Sequence, residues 1–430
     1  MARIVLIGRA VKSSLLALLF LATAAGWDAP ADDPDTTDDP IELDDADEPG
    51  DPVPEPIVTT ATPVVEAPGC VAHGSLAGFS TWVFFTRPDR PCKGVAGSGI
   101  DTNAVDELAR LIGSVPSGGR IDGHIFSITL DGIGKALLEA QTRGVEVWLS
   151  TDGAVAASTD ASKTQYLDKL TPKGYCTHAN NTACISTANG AISHTKLFVF
   201  STATAPDGAV GHNVVWFGSA NQTYASGAKL YNNTVTVYGD ATLYTKLKAY
   251  LGDLFAQKRR ADYYDSASAR GYLLADAADV YASPETQTDL IVNRLNDITL
   301  DTKCQVRVMQ ASVRDSRMDV VDQLIKMKKG GCRVWVVTDT AEPDALAALK
   351  AAKIPVHHMP IHDKAFLVFG NYGGTYEFRA YSGSQNLSGS SAHKFDEIFV
   401  KLAPETGAVH PLYDAYLRHF NDAYDNGPAL

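Results

Sequence analysis

Short apolar runs alternate with amphipathic segments from about residue 80 to the end of the chain. Three of these runs predict buried strands, namely STWVFF, GHIFSITL and VEVWLST. Between the last two, the segment DGIGKALLEAQTRG has the spacing of a helix, and Gly144 is placed to end it. Alternation of strands with helices predicts a layered α/β fold.

The same order of elements returns in the second half of the chain. After Asp301 come the strand CQVRVMQAS, the helix RMDVVDQLIKMKKGG, the strand CRVWVVTD and a helix from Pro343 to Lys353. Each half then continues with a strand that carries His-x-Lys, a strand that ends in Gly-Ser-x-Asn, and one further strand. This repetition predicts an internal duplication, in which two similar lobes face each other and equivalent residues meet at their interface.

The beginning of the chain has a different composition. Three basic residues precede the apolar run SLLALLFLATAAG, which is typical of a secretory signal peptide over residues 1–26 and shorter than the roughly 20 apolar residues of a membrane span. Residues 27–68 contain no Lys or Arg and little to bury, which predicts a disordered acidic linker. We therefore expect a secreted protein, extracellular or periplasmic, with an N-terminal lobe at 69–265 and a C-terminal lobe at 266–430.

The linker changes the charge balance of the part that folds. The chain has a formal net charge of −13, but 14 of its 50 acidic residues lie in the linker and 3 of its 37 basic residues lie in the signal peptide. The remaining 36 acidic and 34 basic residues leave the body near neutral. Such a body does not predict a polyphosphate-binding surface, although it is compatible with a local basic cleft.

All six cysteines follow the linker, and an even number in an exported chain predicts disulfides. Sequence order suggests the pairs Cys70 with Cys92, Cys176 with Cys184, and Cys304 with Cys332, without fixing the connectivity. Metal ligation is the alternative, but the sequence has no CxxC pair or Cys/His cluster with zinc spacing. We expect neither a metal nor another cofactor.

Two His-x-Lys motifs and two Gly-Ser-x-Asn motifs carry the candidate chemistry. Residues two apart on a strand project from the same face, so each histidine is expected beside its lysine. If the lobes are related by a pseudo-twofold axis, eight polar residues converge on one cavity. These are His194, Lys196, Ser219, Asn221, His362, Lys364, Ser384 and Asn386.

Such a cavity suits the chemistry of phosphate esters. Two ammonium groups and two amides offer donors to the nonbridging oxygens as charge develops, without a metal. One neutral histidine can attack phosphorus, while the other, protonated, gives its proton to the leaving alkoxide. We therefore assign the histidines, lysines and asparagines of the motifs as catalytic residues and the two serines, Ser219 and Ser384, as substrate-binding residues. The double occurrence of the motifs, rather than one His-x-Lys alone, supports this assignment.

The paired motifs resemble those of the phospholipase D superfamily, over about Phe79 to Asn426. The resemblance implies a pseudo-twofold duplicated αβαβα sandwich with one active site between two lobes, and a covalent phosphohistidine mechanism. By similarity, His194 is the nucleophile and His362 the general acid. Where the family usually has Asp five residues after each motif lysine, this chain has Ser201 and Phe369, which leaves the subfamily open.

Many members of this family also place a carboxylate after Gly-Ser-x-Asn, where it orients a motif histidine. Aligning KLYNNTVTV with HKFDEIFVK sets Asn233 opposite Glu397. We expect Glu397, as a catalytic residue, to pair with His362 and raise its pKa, which favours the proton-donating form. Asn233, assigned to substrate binding, is expected beside His194, where an amide leaves the ring more easily neutral.

Three functions compete at this stage. The first is hydrolysis of the head-group phosphodiester of a phospholipid by a monomer that contacts membrane surfaces transiently, with Trp82, Phe84 and Phe85 either touching lipid or forming a buried strand. The second is a secreted, metal-independent endonuclease, whose nucleic-acid groove would use basic segments such as KMKKGG and QKRR. The third is a catalytically inactive binding module with the same fold. Transfer to an alcohol in place of water is an open variant of the first.

Overall fold

A computed structural model describes residues 69–265 and 270–430. The signal peptide expected at 1–26 and the linker expected at 27–68 lie outside the described residues. Within the described part, the chain forms two eight-stranded sheets, one from each half of the sequence. We call each sheet with its helices a lobe. The lobe boundary expected between residues 265 and 266 stays a prediction, because residues 266–269 are not described.

The first lobe has eight strands and five α-helices among the described residues. The strands are β1 (Val71–Leu76), β2 (Phe79–Thr86), β3 (Arg120–Ile125), β4 (Glu146–Thr151), β5 (Lys173–Tyr175), β6 (Leu197–Thr204), β7 (Val210–Gly218) and β8 (Asn232–Val237). The helices are α1 (Asn103–Ser114), α2 (Asp131–Thr142), α3 (Ala154–Ala157), α4 (Ala161–Gln165) and α5 (Ala241–Phe255). A 3-10 turn at Leu167–Lys169 and a π-helical turn at Tyr224–Ala228 complete the lobe.

The second lobe repeats this plan within the described residues. The strands are β9 (Tyr272–Leu274), β10 (Ala278–Ala282), β11 (Gln305–Val313), β12 (Arg333–Ala341), β13 (Val356–His358), β14 (Lys364–Tyr372), β15 (Thr375–Gly383) and β16 (Ile398–Leu402). The helices are α6 (Leu290–Asn296), α7 (Met318–Lys329), α8 (Pro343–Ala351), α9 (Gly389–His393) and α10 (Pro411–Asn426). A 3-10 turn at Asp315–Arg317 precedes α7.

The strand orders of the two sheets correspond strand for strand. The first sheet runs β1-β2-β8-β7-β6-β3-β4-β5, and the second, read from its other end, runs β9-β10-β16-β15-β14-β11-β12-β13. In both lobes, two strands joined through a helix are parallel: β3 and β4 through α2, and β11 and β12 through α7. The strand that follows the first His-x-Lys motif, β6, pairs antiparallel with β3, and β14 pairs antiparallel with β11 in the second lobe. The internal duplication predicted from the sequence is confirmed.

Five layers stack in the order helix, sheet, helix, sheet, helix. Helices α1 and α2 cover the outer face of the first sheet, and α6, α7 and α8 cover the outer face of the second. Helix α5 packs on β3, β4, β6 and β7, while α10 packs on β1 and β2 of one sheet and on β12, β14 and β15 of the other. The inner faces of both sheets share one apolar core with these two helices. The fold is therefore the duplicated αβαβα sandwich expected from the sequence.

The sandwich explains why the strands are apolar without alternation. A strand covered on both faces has no polar side, and Leu197–Phe200 of β6 accordingly shows no exposed side chain. Trp82, Phe84 and Phe85 of β2 are buried in the same way, so they belong to the interior and do not form a lipid-contacting surface.

Three disulfides join the pairs suggested by sequence order, Cys70–Cys92, Cys176–Cys184 and Cys304–Cys332. The first two lie in the first lobe, and the third links the beginning of β11 to the turn before β12. None of the helices in the described residues is long and apolar enough to cross a membrane.

Candidate active site

The two His-x-Lys motifs meet at the interface between the lobes. The ring centroids of His194 and His362 are 6.5 Å apart, with their planes inclined by 74°. Both histidines and both lysines are at least 97% buried. The first motif ends directly before β6, which begins at Leu197, and Lys364 of the second motif is the first residue of β14. The tertiary structure thus brings together the four residues that the sequence spacing singled out.

Each motif lysine folds back onto the histidine of its own motif. Nζ of Lys196 donates to the backbone oxygen of His194 at 2.9 Å, and Nζ of Lys364 donates to that of His362 at the same distance. Identical contacts in both lobes fix the direction of both ammonium groups. Two buried cations beside two imidazoles form a site that favours an anion such as a phosphodiester.

The backbone of each histidine is held by the opposite lobe. The amide of His194 donates to the oxygen of Asp396 at 2.9 Å, and the amide of His362 donates to the oxygen of Tyr231 at 2.8 Å. Short parallel bridges, Ser193 with Asp396 and Tyr231 with Ile361, surround these bonds. The other lobe therefore helps to position each motif.

The histidine side chains are paired across the interface as well, which corrects the pairing expected from the sequence. Nδ1 of His194 lies 2.8 Å from Oε1 of Glu397, and Nδ1 of His362 lies 3.0 Å from Oδ1 of Asn232. Glu397 was expected beside His362, and Asn233 beside His194. Both expectations are wrong, because each lobe supplies the partner of the other lobe's histidine.

The amide that faces His362 belongs to Asn232, one residue before the position expected. The backbone amide of Ser219 bonds to the oxygen of Asn233, and that of Ser384 to the oxygen of Ile398, so Asn233 is the counterpart of Ile398 and Asn232 is the counterpart of Glu397. The sequence held a signal for this register, since Asn232 and Glu397 each follow the asparagine of their Gly-Ser-x-Asn motif by eleven residues.

Asn233 points away from the histidines into a buried polar network. Its Nδ2 donates to Asp363 at 2.5 Å, and its Oδ1 accepts from Ser382 at 2.5 Å and from Tyr416 at 2.8 Å. Asp363 in turn bonds to Nε2 of His419 on α10 at 2.8 Å. The contacts of Asn233 link the lobes behind the second motif, and they give no support to a substrate-binding role.

The orientation of the Asn232 amide is set by its neighbours. Nδ2 donates to the backbone oxygens of Ser226 and Leu230, whereas Oδ1 accepts from the hydroxyl of Ser219 at 2.9 Å. The atom that faces His362 is therefore an acceptor, and Nδ1 of His362 carries the proton. Nε2 is then the ring nitrogen that can exchange protons with a substrate.

The serines and glycines of Gly-Ser-x-Asn fix the turns beside the site. A side chain on Gly218 or Gly383 would approach the backbone oxygen of the neighbouring strand to 2.3 or 2.2 Å, which excludes any larger residue. The hydroxyls of Ser219 and Ser384 accept from the next strand's amides at 3.1 and 3.0 Å. These contacts give the two serines a positioning role, whereas their assignment to substrate binding stays a prediction.

The motif asparagines differ between the lobes. Asn221 is buried, and its Nδ2 donates to Ser226 at 3.0 Å, while Asn386 is partly exposed. Ser201 and Phe369, at the positions where the family usually has Asp, have structural contacts. The hydroxyl of Ser201 accepts from the backbone of Arg120, and Phe369 stacks on Tyr376.

Sequence reasoning missed Phe126, which lies against the first motif. Its ring centroid is 5.0 Å from that of His194, in an edge-on arrangement, and Nζ of Lys196 lies 5.3 Å from it. The run GHIFSITL was predicted to be one strand, but β3 ends at Ile125 because the chain then turns to pair with Gln222. Phe126 belongs to an apolar cluster beside the histidine that also contains Ala183, Ala191, Ile192 and Phe395.

A duplicated αβαβα sandwich with two buried His-Lys pairs at its pseudo-twofold interface defines a class of proteins that act on phosphodiesters. The first lobe contains a domain that matches the phospholipase D superfamily. Residues 116–255 match the family model described as "Cardiolipin synthase, PLD-like domain". No curated protein sequence matches the chain.

Several solved structures are similar in fold. Nuc of Salmonella typhimurium, described as a phospholipase D family member, is 22% identical, with a TM-score of 0.29, over 36% of this chain and 97% of its own. NucT of Helicobacter pylori is 19% identical, with a TM-score of 0.31, over 42% of this chain and 97% of its own. Phosphatidylserine synthase of Haemophilus influenzae is 11% identical, with a TM-score of 0.48, over 77% and 86%. These similarities do not define a substrate for this chain.

Proposed function

We propose that the protein is a phosphodiesterase that hydrolyses the head-group phosphodiester of phospholipids through a covalent phosphohistidine. The observation that carries the proposal is the crossed and unequal pairing of the histidines, a carboxylate for His194 and an amide for His362. Two chemically different histidines within one site suit a reaction that needs one nucleophile and one proton donor.

We assign His194 as the nucleophile, with Nε2 attacking phosphorus while the bond to the leaving oxygen breaks. The ring then carries positive charge, because Nδ1 keeps its proton and Nε2 bonds to phosphorus. The carboxylate of Glu397, 2.8 Å from Nδ1, stabilises that charge. Its fixed position also orients the ring.

We assign His362 as the general acid, with Nε2 protonating the leaving alkoxide. The partner of its Nδ1 is the neutral amide oxygen of Asn232, whereas Nδ1 of His194 has a carboxylate as its partner. His362 then takes a proton from water, which attacks phosphorus and releases His194 together with phosphatidate. The roles are those expected from the sequence, but the physical reason is the reverse, since the carboxylate serves the nucleophile.

Lys196 and Lys364 offer positive charge to the nonbridging oxygens, and Asn221 and Asn386 offer amide donors. The two ammonium groups are fixed and buried, so they need no reorganisation as negative charge develops. In this proposal the protein supplies the electrostatic stabilisation with its own side chains, and turnover requires no added metal.

The surroundings of the site support a lipid in preference to a nucleic acid. Phe126, Ile192 and Phe395 give the His194 side an apolar wall. One residue in each of the basic segments considered for a nucleic-acid groove has another contact. Arg259 of QKRR donates to backbone oxygens of the Cys176–Cys184 loop, and Lys326 of KMKKGG contacts Asn296 on the outer helix layer.

To test the proposal, the purified protein is incubated in EDTA with phosphatidylcholine vesicles in one reaction and with plasmid in another. We expect choline and phosphatidate from the vesicles and intact plasmid. The matched variants are His194→Ala, expected to be inactive, and His212→Ala, which removes an exposed histidine on β7 that contacts Thr202. Cleavage of plasmid alone would favour the endonuclease, and no cleavage of any diester would favour the inactive binding module.

A further inference from the structure

The segment between β5 and the first motif, residues 176–193, is a loop whose first part is closed by the Cys176–Cys184 disulfide, and the second lobe binds its backbone. Oδ2 of Asp396 accepts from the amides of Cys184 at 2.7 Å and Ile185 at 2.9 Å, and Oδ1 accepts from the amide of Ser186 at 2.8 Å. Asp396 is fully buried. One carboxylate of the second lobe therefore fixes three consecutive amides of the first.

The backbone of the same aspartate holds the nucleophile. Its oxygen accepts from the amide of His194 at 2.9 Å and from the hydroxyl of Thr195 at 3.0 Å, and its amide donates to the oxygen of Ile192 at 3.0 Å. The next residue is Glu397, whose carboxylate holds Nδ1 of His194. A displacement of Asp396 would consequently move both members of the His194–Glu397 pair.

The loop is also fixed from its other side. The guanidinium of Arg259 donates to the backbone oxygens of Thr177, Ala183 and Ser186, so it binds carbonyls of the loop whose amides bind Asp396. Asp152 accepts from the amide of Ser193 at 2.7 Å. The loop is thus held by the disulfide and by hydrogen bonds between its backbone and charged side chains on both sides.

Loop residues contribute directly to the wall of the site. Ala183, Ala191 and Ile192 pack with Phe126 and Phe395 in the apolar cluster beside His194. An undocked loop would open this side of the site to water as well as loosening the histidine.

Within residues 69–265 and 270–430, no such loop lies beside the second motif. The residue equivalent to Asp396 is Tyr231, whose backbone oxygen accepts from His362 and whose amide donates to Pro360. Its side chain donates to Asp89 and packs against the ring of His419, and among the described residues it binds no run of loop amides. The arrangement around Asp396 therefore acts on the nucleophile's side of the site alone.

Burial raises the pKa of Asp396 to about 6, and its three backbone hydrogen bonds oppose this shift by favouring the charged form. The carboxylate is mainly ionised at neutral pH and is then stabilised by the loop that it binds. The loop amides therefore stabilise the charged carboxylate, and the carboxylate holds the loop in place.

We infer that Asp396 is a positioning residue, which through the loop closed by Cys176–Cys184 holds His194 and Glu397 in the geometry needed for attack on phosphorus. The inference rests on the proposed function. It goes beyond it by making the rate of the first chemical step depend on a disulfide and a carboxylate that do not touch the substrate.

The experiment compares Asp396→Asn and the double variant Cys176→Ser/Cys184→Ser with Cys304→Ser/Cys332→Ser, which removes a disulfide remote from the motifs. For each variant we measure the turnover of bis(p-nitrophenyl) phosphate, the turnover of a diester with an alkoxide leaving group, and the melting temperature. Misplacement of a reacting group costs about 10- to 100-fold, so we expect kcat to fall by that factor in the first two variants, equally for both substrates, with little change in KM.

The disulfide variant that loses more thermal stability should lose less activity, and the other should do the reverse. The Cys304–Cys332 bridge spans 28 residues and the Cys176–Cys184 bridge 8, so loss of the former should lower the melting temperature more. Loss of the latter should lower kcat more. The inference would be overturned if the variant with the lower melting temperature also had the lower kcat. An unchanged kcat in Cys176→Ser/Cys184→Ser would overturn it as well.

Hydrogen exchange separates this inference from the proposed function. The amides of Cys184, Ile185 and Ser186 should be protected in the wild-type protein and exchange faster in Asp396→Asn. If the wild type turns over no diester, the proposed function fails, while exchange still shows whether Asp396 docks the loop. Unchanged protection in Asp396→Asn would refute the docking itself.

Discussion

Nδ1 of His194 lies 2.8 Å from Oε1 of Glu397, although 203 residues and the boundary between two lobes separate them in the chain. His362 and Asn232 form the reciprocal contact, 130 residues apart. Each lobe therefore contributes a histidine and the partner of the other histidine. Neither lobe alone holds a complete site, which makes association of the lobes a condition for chemistry.

Glu397→Gln should slow the formation of the phosphoenzyme. Glutamine keeps the shape and the hydrogen bond to His194 but removes the charge that stabilises the phosphorylated ring. We expect kcat to fall by about 10- to 100-fold, equally for p-nitrophenol and for alkoxide leaving groups, as for other groups that orient a reactive histidine. Rapid-quench measurement of the phosphoenzyme tests this, and a loss confined to alkoxide leaving groups would reassign Glu397 to the acid.

Asn232→Asp should change the pH profile. A carboxylate beside His362 raises the pKa of that ring, because it favours the protonated form. The acid then stays protonated to higher pH, so the alkaline limb of kcat/KM for an alkoxide leaving group should move upward. A p-nitrophenyl substrate, which needs little protonation, is the internal control and should show no such movement. An unmoved limb with the alkoxide substrate would mean that His362 is not the proton donor.

His362→Ala should trap the covalent intermediate. A p-nitrophenyl diester needs little help from an acid, so the first step should remain measurable, while hydrolysis lacks the base that activates water. Mass spectrometry of the quenched variant should then find the transferred phosphoryl group, with its remaining ester substituent, on the peptide that contains His194. His358→Ala, which removes a partly exposed histidine paired with Asp339, is expected to turn over normally.

Label on the His362 peptide of a His194→Ala variant would reverse the assignment of the two histidines. Label on neither peptide would argue against a covalent mechanism.

Glu285→Gln should make stability less dependent on pH. Burial raises the pKa of Glu285 to about 9 from 4.5, so between those values the folded protein holds a proton that the unfolded chain releases. Its contribution to stability is complete below pH 4.5 and is lost as pH rises through 9, at up to about 1.4 kcal/mol per pH unit. Glutamine removes this loss.

Denaturant unfolding from pH 4 to 9 measures the effect of Glu285→Gln. The variant should differ little from the wild type at pH 4 and be the more stable of the two at pH 8. Glu139→Gln alters an exposed glutamate on α2 and serves as the control for a change of net charge. Parallel stability curves for wild type and Glu285→Gln would show that Glu285 is ionised in the native protein.

The sequence by itself determined the plan of the molecule. Repeated order of strands and helices predicted the duplication, because periodicity and turn residues report local structure directly. The spacing within His-x-Lys and Gly-Ser-x-Asn identified the side chains that meet at the interface. Sequence order also suggested the three disulfides, each of which joins cysteines close together in the chain.

Only the tertiary structure decided which partner each histidine has. Asn232 and Asn233 are adjacent in one strand, where a shift of one residue turns a side chain to the opposite face of the sheet. An alignment error of one residue therefore predicted Asn233, which belongs to the buried network, in place of Asn232, which contacts His362. The contacts of Glu397 with His194 and of Asp396 with the disulfide loop join positions about 200 residues apart. Such contacts follow from how two lobes pack, and no local pattern in either lobe encodes them.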